Sequence, residues 1–423
     1  MSQVLEQLRE RAEETPRLVL EVSGKFVANS KGKRWLESGH PWLYRDDVER
    51  VEGAPAENLP ALCAIEDVHG QWLGWALSGG SQSRIAARRI SRVRDVPDRA
   101  FWRERVAACV RRRERFDLLG AEDACRLIGG DSEGVPGWVC DRYADVLVTQ
   151  SGTGVADALT SLLSYELCAA LPFEVRAVFN RSDATVRRHE GLESRVEVIA
   201  GELPNSDLLV AEADGFCYEV DVAKGHKTGH YLDMSANRRH AATFASGQRV
   251  LDIFSYDGLF GVRAARAGAS EVLCLDQSQE AGERALRNAA RNGIAEGIVR
   301  FEKVDALREL KGRSDTEPGS YGLVICDPPL FARSRKEIAG AERGYVEVNR
   351  RSIALCAPGG VVVTATCSHN VRPGDFRTYL ARAAVRARRE VYLEEMRGAG
   401  PDHPIRVELP ESSYLQCAFL RVE

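Results

Sequence analysis

The 423-residue sequence has no long hydrophobic run and no paired cysteine motif. No segment reaches the roughly 18 uninterrupted apolar residues that a membrane-spanning helix needs. The charged opening segment also lacks the apolar core of a signal peptide. The 11 cysteines are odd in number and include no C-x-x-C pair, so neither a disulfide framework nor a zinc or other metal site is indicated. We therefore expect a cytoplasmic protein with reduced thiols and no membrane partner.

The composition does not have the signature of a disordered chain. Hydrophobic residues make up 44% of the sequence and charged residues 28%, which is ordinary for globular proteins. At roughly 100–200 residues per domain, the length predicts about two to four domains. The chain is therefore long enough to bury at least one large core.

The basic residues are concentrated in one segment. The formal net charge is −4, yet residues 84–115 contain twelve arginines against four acids. Such a block is the electrostatic footprint of a partner with a phosphate backbone. Because 50 of the 58 basic residues are arginine, a solvated arginine-rich helix is the alternative. An RNA or DNA partner is only slightly favoured by this pattern.

Two patterns divide the chain. The first hundred residues show short strands separated by glycine and proline, and a mixed segment with a helical pattern over 158–171 follows. From about residue 216, apolar strands alternate with amphipathic helices, which indicates βαβ crossovers and a parallel sheet. We therefore predict an α/β fold with a doubly wound C-terminal domain. Its predicted strands are 249–255, 271–276, 299–305, 321–327 and 359–367.

In a doubly wound sheet, ligands bind beyond the carboxyl ends of the strands. The first strand is followed by Gly258 and Gly261, where a turn that opens a helix lets the backbone approach a ligand, although the full G-x-G-x-x-G spacing is absent. The second strand ends at Asp276, 24 residues after Asp252, close to the interval of about 20 at which an acid meets ribose hydroxyls. The third ends at Asp305, which could accept from an adenine amino group or cap a helix.

The fourth strand ends in the segment Asp327-Pro328-Pro329-Leu330-Phe331. Two consecutive prolines fix φ and remove two N–H donors, so the chain leaves the sheet extended and rigid. Such a turn can hold the edge of a flat base. A structural Pro-Pro turn is the alternative, but it does not explain why an acid and an aromatic residue accompany the prolines.

The fifth strand ends at Cys367, followed by Ser368 and His369. A thiol at the mouth of the crevice, with polar neighbours, has the surroundings that a reactive cysteine needs. Cys367 is therefore the candidate nucleophile, and a buried strand cysteine is the alternative.

A polar cluster precedes the first strand at residues 224–233. Two glycines and two lysines so close together suggest a loop that lines the crevice, with Lys227, Tyr231 and Asp233 as ligand contacts. A solvated turn before an amphipathic helix is an equally good interpretation.

Together these motifs resemble the bacterial 23S rRNA cytosine-C5 methyltransferases that use S-adenosylmethionine (SAM). The resemblance rests on GHKTGHYLD, VLDIFSYDGLFGV, DPPLF, TCS and the late DHP, and it continues upstream through RWLESGHPWLYRDDV, RLIGGDSEGVPGWVCDRY and NRSDATVRRHEGL. It covers nearly the whole chain after about the first fifteen residues. It implies a PUA RNA-binding domain over 16–95, a central α/β linker domain over 96–205 and a class I SAM-dependent methyltransferase domain over 206–423.

The resemblance also implies roles for individual residues. Cys367 takes the role of the nucleophile, and Asp327 holds the edge of the cytosine. Pro329, Phe331 and His403 would contact the substrate, and His369 and His403 are candidates for handling protons. The implied cofactor contacts are Lys227, Tyr231, Asp233, Phe254, Ser255, Tyr256, Gly258, Asp276, Asp305, Asp327 and Pro328. The implied partner is RNA, specifically 23S rRNA, and a homodimer stays open.

The sequence departs from the family pattern at three places. The family usually has a lysine where Leu330 stands, a glycine soon after the nucleophile where His369 and Asn370 stand, and Thr-Gly-Gly in place of residues 257–259. Two alternatives therefore stay open. One is a SAM-dependent methyltransferase with another RNA or non-RNA acceptor, and the other is a non-catalytic RNA-binding assembly factor.

Overall fold

The computed structural model describes residues 2–15, 19–53, 60–80, 82–120, 123–331 and 337–423. The chain divides into two compact units, each built from separate stretches of sequence. The first unit contains residues 1–213, 220–232 and 401–412, and the second contains 214–219, 233–400 and 413–423. Within the described ranges, no helix is long and apolar enough to cross a membrane. The boundaries of the three predicted domains stay a prediction.

A six-stranded sheet forms the N-terminal part of the first unit, which confirms the predicted β-rich module. The elements of this part are α1 (Gln3–Glu13), β1 (Val22–Ala28), α2 (Ser30–Glu37), β2 (Trp42–Tyr44), β3 (Val48–Glu52), β4 (Leu62–Asp67), β5 (Trp72–Ser78) and β6 (Ile85–Ser91). The strand order is β2-β6-β5-β4-β1-β3. The apolar run at 62–80 contains two strands, β4 and β5.

The turn between β4 and β5 shows how local chemistry shapes this sheet. The Asp67 carboxylate accepts the backbone N–H groups of His69 and Gln71, each at 2.8 Å, and Gly70 takes the left-handed conformation with φ +78°. Lys33 Nζ lies 2.7 Å from Asp67 Oδ2. This lysine contact, together with the backbone donors, lowers the pKa of Asp67 to about 2.

A five-stranded sheet forms the rest of the first unit, in the order β11-β10-β9-β8-β7. Its elements are α3 (Arg99–Arg115), β7 (Ala124–Gly129), β8 (Trp138–Tyr143), β9 (Val146–Ser151), α4 (Gly154–Ala170), β10 (Ala177–Ser182), α5 (Val186–His189) and β11 (Arg195–Gly201). The predicted helix at 158–171 begins earlier because Thr153 caps it, accepting from the backbone N–H of Ala156 at 3.1 Å. Strands β12 (Leu208–Ala211) and β13 (Cys217–Val220) follow in the chain.

Helix α1 was not predicted from the sequence. Val4, Leu8 and Ala12 are spaced four residues apart and bury one face of the helix, while the charged residues face solvent. Ser2 caps its first turn by accepting from the backbone N–H of Leu5. The opening segment is therefore an amphipathic helix that packs against α4 and β11.

A seven-stranded sheet forms the second unit and confirms the predicted doubly wound α/β domain. Its elements are α6 (Ser235–Ala242), β14 (Arg249–Ile253), α7 (Leu259–Arg266), β15 (Glu271–Asp276), α8 (Gln279–Arg291), β16 (Val299–Lys303), α9 (Ala306–Thr316), β17 (Tyr321–Cys326), α10 (Ile338–Leu355), β18 (Cys356–Thr366), α11 (Pro373–Ala387), β19 (Val391–Arg397) and β20 (Gln416–Val422). The order is β16-β15-β14-β17-β18-β20-β19.

The five predicted strands correspond to β14 to β18, and each pair of neighbours among them is parallel. Strands β19 and β20 were not predicted, and β20 runs antiparallel to both β18 and β19. The strand order reverses between β14 and β17, so the carboxyl ends of these strands flank the topological switch point of the sheet. A ligand of a doubly wound sheet binds at that place.

Candidate active site

The strand register brings the predicted fourth and fifth strand ends to one edge of the sheet. Ile253 of β14 pairs with Cys326 of β17, and Cys326 pairs in turn with Thr364 of β18. Asp327 directly follows Cys326, whereas Cys367 comes three residues after Thr364. At about 3.3 Å per strand residue, Cys367 therefore lies roughly 7 Å further than Asp327 in the direction of the strands.

The turn after β14 has an unusual backbone. Phe254, Tyr256 and Gly258 all have left-handed φ values, of 61°, 51° and 72°. For the two non-glycine residues this conformation costs about 1–2 kcal/mol each. The backbone N–H of Tyr256 donates to Asp276 Oδ2 at 2.9 Å, and that of Gly258 donates to the carbonyl of Ser255 at 2.8 Å. A strained backbone that is held by hydrogen bonds, as in this turn, is common at functional sites.

The two glycines of this turn are required by close packing. A Cβ at Gly258 would lie 2.7 Å from Ala285 Cβ. A Cβ at Gly261 would lie 2.8 Å from Val272 Cγ1 and 2.9 Å from Cys274 Sγ. Helix α7 therefore begins directly against β15 and α8, and its first turn stays at the strand ends.

Asp276 presents a carboxylate at the end of β15, beside this turn. Its two oxygens accept the backbone N–H groups of Tyr256 and Ser278, each at 2.9 Å. An ionised carboxylate has about four acceptor sites, so further sites remain for donors such as ribose hydroxyls. The half-buried carboxylate thus fits the ribose of SAM. Its role as a cofactor contact stays a prediction.

Asp305 caps a helix. It precedes α9, and its Oδ1 accepts the backbone N–H groups of Leu307 and Arg308 at 3.1 and 3.3 Å. The capping interpretation of the sequence therefore describes what the carboxylate does in this structure. The side chain is exposed, and a contact with an adenine amino group stays a prediction.

Asp252, inside β14, is a buried acid next to the turn. Its Oδ2 accepts the backbone N–H of Gly261 at 2.9 Å. Burial raises the pKa of Asp252 to about 8, and the negative charges of Asp327 and Asp276 add to the shift. The carboxyl group is therefore mainly protonated at neutral pH.

The cysteines differ in exposure. All eleven lie in described segments, none is in a disulfide, and Cys217 and Cys367 are half-buried whereas the other nine are buried. Burial raises the pKa of Cys326 to about 12, so this thiol stays protonated in the core. Cys367 combines partial exposure with a position at a strand end. Its role as the nucleophile stays a prediction.

Tyr345 of α10 connects two of the predicted site segments, although no motif in the sequence marks it. Its hydroxyl oxygen lies 2.7 Å from Thr366 Oγ1, and its ring meets Phe331 edge-on with centroids 4.9 Å apart. Thr366 Oγ1 also accepts the backbone N–H of Ser368 at 3.3 Å. The Thr366 hydroxyl thereby links Tyr345 to the backbone of Ser368, so the residues on both sides of Cys367 are held in place.

The Asp327 segment differs in exposure along its length. Asp327 is half-buried and Pro328 buried, whereas Pro329 and Leu330 are exposed. Phe331 is half-buried and packs on the core of the sheet. Of the predicted substrate contacts in this segment, Pro329 is therefore the more accessible.

Asp233 holds a tyrosine near the fifth strand end. The hydroxyl of Tyr414 donates to Asp233 Oδ2 at 2.7 Å, and the Tyr414 ring lies 5.4 Å from that of His369. Asp233 is buried, so this hydrogen bond fixes Tyr414 beside the segment that follows Cys367. Its role as a cofactor contact stays a prediction.

The other predicted contacts belong to the first unit. Lys227 Nζ lies 4.4 Å from the centroid of the Tyr231 ring, and His226 Nδ1 lies 3.1 Å from the Tyr231 hydroxyl. His403 Nδ1 lies 3.0 Å from Asp402 Oδ1. Burial raises the pKa of Asp402, but the neighbouring His403 outweighs it, so the pKa is lower than usual.

The arginine block presents less charge to solvent than its composition suggests. Arg88, Arg89 and Arg113 are buried. Arg113 is bound to Glu133, and Arg88 Nη2 lies 3.1 Å from Glu190 Oε1. These side chains stabilise the first unit instead of meeting a partner. The exposed arginines of the block are Arg84, Arg92, Arg94, Arg103, Arg111 and Arg115.

Residues 178–405 match the family model of the S-adenosylmethionine-dependent methyltransferases, and residues 28–92 match a PUA-like domain. The chain is 36% identical over 386 residues to the ribosomal RNA large subunit methyltransferase I of Aeromonas hydrophila, an alignment that covers 90% of this chain and 95% of that relative. It is 36% identical over 401 residues to the protein of the same name from Erwinia tasmaniensis, covering 94% and 98%.

Solved structures share the fold over most of the chain. SMU.776, described as a methyltransferase complexed with SAH, aligns with a TM-score of 0.80 at 20% identity and covers 94% of this chain and 100% of its own. A SAM-dependent methyltransferase from Streptococcus mutans aligns with a TM-score of 0.79 at 18% identity, with the same coverage.

The fold and the family match define a methyltransferase that uses SAM and carries a PUA-like domain, which confirms the predicted cofactor. The chain belongs to the S-adenosylmethionine-dependent methyltransferase family that includes the relatives named ribosomal RNA large subunit methyltransferase I.

Proposed function

We propose that this enzyme transfers a methyl group from SAM to C5 of a cytosine in 23S rRNA, with the thiolate of Cys367 as the nucleophile that adds to C6. One observation carries the proposal. Cys367, which is half-buried, follows β18 at the sheet edge where Asp327 follows β17. The relatives named for the large ribosomal subunit support the choice of RNA.

The chemistry explains why a cysteine is needed. SAM supplies a methyl group on an electrophilic sulfonium. C5 of cytosine is a poor nucleophile until Cys367 Sγ adds to C6 and moves electron density onto C5. Once C5 carries the methyl group, a base removes the C5 proton, the C5–C6 double bond forms again, and the Sγ–C6 bond breaks. His369 and His403 are the candidates for this base.

The other residues would position the two reactants. A carboxylate can accept from the N4 amino group of cytosine, so Asp327 would hold the edge of the base. Pro329, Phe331 and His403 would contact the nucleotide, which must leave its stack to reach a strand end. The cofactor would be held by the strained turn 254–258 and by Asp276. The other predicted cofactor contacts are Lys227, Tyr231, Asp233, Asp305, Asp327 and Pro328.

The PUA-like domain and the exposed arginines fit an RNA partner. On this proposal the enzyme works in the cytoplasm on rRNA. Light scattering on the purified protein decides between one copy and a homodimer.

The test is methylation of 23S rRNA from a strain that lacks the protein. Wild-type enzyme with SAM is expected to produce 5-methylcytidine in the digested rRNA and to release tritium from rRNA labelled at cytosine C5. The Cys217→Ala variant should match it, because Cys217 is the other half-buried cysteine and lies outside the predicted site. Methylation of another atom, or no methylation, would contradict the proposal.

Leu330 stands where the family pattern has a lysine. This difference favours a second candidate function, that of a SAM-dependent methyltransferase with another acceptor. Leu330 is exposed next to Pro329, where the family pattern places a cation. A methylated nucleoside other than 5-methylcytidine in the same digest would favour this candidate. RNA binding without any methyl transfer would favour an assembly factor.

A further inference from the structure

The loop at residues 225–231 presents its side chains in two directions. Lys227, at its tip, has a left-handed φ of 53° and is exposed, and Tyr231 is half-buried beneath it. Thr228 and His230, which lie between them in sequence, are buried. The loop therefore has an anchored side and a side that carries the two predicted cofactor contacts.

The anchored side is bound to strand β8. Thr228 Oγ1 donates to Asp141 Oδ2 at 2.6 Å and lies 3.0 Å from the Tyr143 hydroxyl. The backbone N–H of His230 donates to the same Tyr143 hydroxyl at 3.0 Å. Asp141 and Tyr143 are two residues apart on one strand, so both side chains point to the loop from the same face.

Arg126 of β7 holds Asp141 in place. Its guanidinium binds both carboxylate oxygens of Asp141, with Nε to Oδ1 at 2.8 Å and Nη2 to Oδ2 at 2.9 Å. A planar guanidinium fixes the carboxylate plane in a way that a lysine ammonium cannot. The oxygen that accepts from Thr228 is thus fixed in direction as well as position.

Burial makes this arrangement rigid. Asp141 and Thr228 are each 1% exposed and Tyr143 is not exposed at all. A buried charge or hydroxyl that loses its partner is strongly destabilised, so the network has one favourable arrangement. Asp141 also lies outside residues 178–405, the part that matches the methyltransferase family model, whereas the loop lies inside it.

We propose that Asp141 and Tyr143, with Arg126 behind them, are positioning residues that fix the loop at 225–231 in the conformation that binds SAM. None of the three touches the reacting atoms. They act through Thr228, and the five-stranded sheet that carries them thereby sets the affinity of the loop for the cofactor. This inference rests on the proposed function only in taking Lys227 and Tyr231 as cofactor contacts.

The main test replaces Thr228 in the full-length protein and measures SAM binding by calorimetry. Thr228→Val keeps the shape and removes the hydroxyl, and we expect the Kd for SAM to rise about tenfold. Thr228→Ser keeps the hydroxyl and should restore the Kd to within about twofold of wild type. In methylation assays the loss should appear in KM for SAM, with kcat at saturating SAM within about twofold.

Thr160→Val is the matched control. Thr160 is buried in the same unit, and its hydroxyl donates to the carbonyl of Ala156 at 2.7 Å, away from the loop. It should lower the Tm without changing the Kd for SAM. The inference is overturned if Thr228→Val leaves the Kd unchanged or if Thr160→Val raises it equally. If Thr228→Val does not fold, Tyr143→Phe takes its place in the same comparison.

A double-mutant cycle tests the role of Arg126. Arg126→Lys keeps the charge but loses the paired hydrogen bonds to Asp141, and the Kd for SAM should rise about fivefold. Combined with Thr228→Val, it should add little, because both changes release the same contact. If the fold-change in Kd of the double variant equals the product of the two single fold-changes, the two residues act independently, which would contradict the network.

The calorimetry needs no RNA, so the two proposals fail separately. A wild-type protein that binds SAM and methylates no rRNA defeats the proposed function but leaves the Thr228 comparison intact. Normal rRNA methylation with unchanged SAM binding in Thr228→Val defeats the inference alone.

Discussion

The hydroxyl of Tyr345 lies 2.7 Å from Oγ1 of Thr366, the last residue of β18. Tyr345 is fully buried, and its ring also packs edge-on against Phe331. A single side chain of α10 thus sets the position of the residue before Cys367 and of the end of the DPPLF segment. The predicted nucleophile and the predicted substrate turn are supported from the same point in the core.

Replacing Tyr345 by Phe should lower kcat several-fold and leave the Kd for SAM unchanged. The lost hydrogen bond is worth about 0.5–1.5 kcal/mol, and its loss lets the strand end at Cys367 move. Tyr379→Phe is the control, because Tyr379 is buried and its ring stacks on that of Tyr345 with centroids 6.2 Å apart, whereas the Thr366 hydroxyl is bound by Tyr345. Equal kinetic effects of both changes would contradict this role for Tyr345.

Replacing Gly261 by Ala should weaken SAM binding and destabilise the protein. The added Cβ would lie 2.8 Å from Val272 Cγ1 and 3.2 Å from Asp252 Oδ2, so α7 would have to shift away from the strand ends. Gly261→Ala should therefore lower the Tm by several degrees and raise the Kd for SAM. Calorimetry and thermal unfolding measure both effects.

Gly312→Ala serves as the control for this change. Gly312 lies inside α9, and a Cβ there would have no neighbour within 4 Å. Because alanine favours a helix over glycine by about 1 kcal/mol, this variant should be slightly more stable and bind SAM normally. Normal SAM binding by Gly261→Ala would show that the helix start does not shape the cofactor site.

The sequence was sufficient to predict the strands of the second unit and the residues at their ends. The predicted strand at 271–276 has the bounds that the structure shows, because its four apolar residues lie between two acids, Glu271 and Asp276. Strands β19 and β20 were not predicted at all, and periodicity would not have revealed that they run antiparallel. Cys326, the residue before Asp327, is buried in the core of the sheet.

The supporting contacts could not be predicted because they join residues far apart in sequence. Thr228 and Asp141 are 87 residues apart, and Tyr345 and Thr366 are 21 apart. No local motif marks such pairs. The arginine block was misleading for a related reason, since composition does not distinguish an exposed guanidinium from a buried one such as Arg113.

Asp252→Asn should stabilise the protein most at alkaline pH. An aspartate in the unfolded chain titrates near pH 3.9, whereas burial raises the pKa of Asp252 to about 8. Between these values the folded state binds the extra proton, so wild-type stability falls as pH rises. The gain in Tm from the variant should therefore be larger at pH 8 than at pH 5.

Asp67→Asn should instead destabilise the protein, and the loss should not depend on pH between pH 5 and pH 8. Lys33 lowers the pKa of Asp67 to about 2, so its stabilising effect is complete above the unfolded value and is lost only as pH falls toward 2. This variant should lose stability by a similar amount at pH 5 and pH 8. A pH-independent effect of Asp252→Asn would show that the Asp252 carboxyl is ionised in the folded protein.

Neutralising two exposed arginines should weaken RNA binding in a salt-dependent way. Arg92 and Arg94 are exposed in the basic block. Replacing both by Gln should flatten the dependence of log K on log salt by roughly 0.7 for each lost phosphate contact. Filter binding of an rRNA fragment at several salt concentrations gives this slope.

The matched control for the arginine pair is Arg103→Gln with Arg111→Gln. These side chains are also exposed, but they are bound to Glu166 and Glu104. Their loss removes the same formal charge and should change the slope less. Equal slopes for the two double variants would mean that only the overall charge matters.

The most direct test of the account is to trap Cys367 on its substrate. RNA with 5-fluorocytidine at the methylated position cannot lose a C5 proton, so the Sγ–C6 bond should persist after methyl transfer. Incubation with SAM should give a covalent protein–RNA adduct for wild type and for Cys217→Ala, seen by denaturing electrophoresis and mapped to Cys367 by mass spectrometry. Cys367→Ala should form none and should lose rRNA methylation. An adduct in Cys367→Ala, or undiminished methylation by that variant, would contradict the central claim.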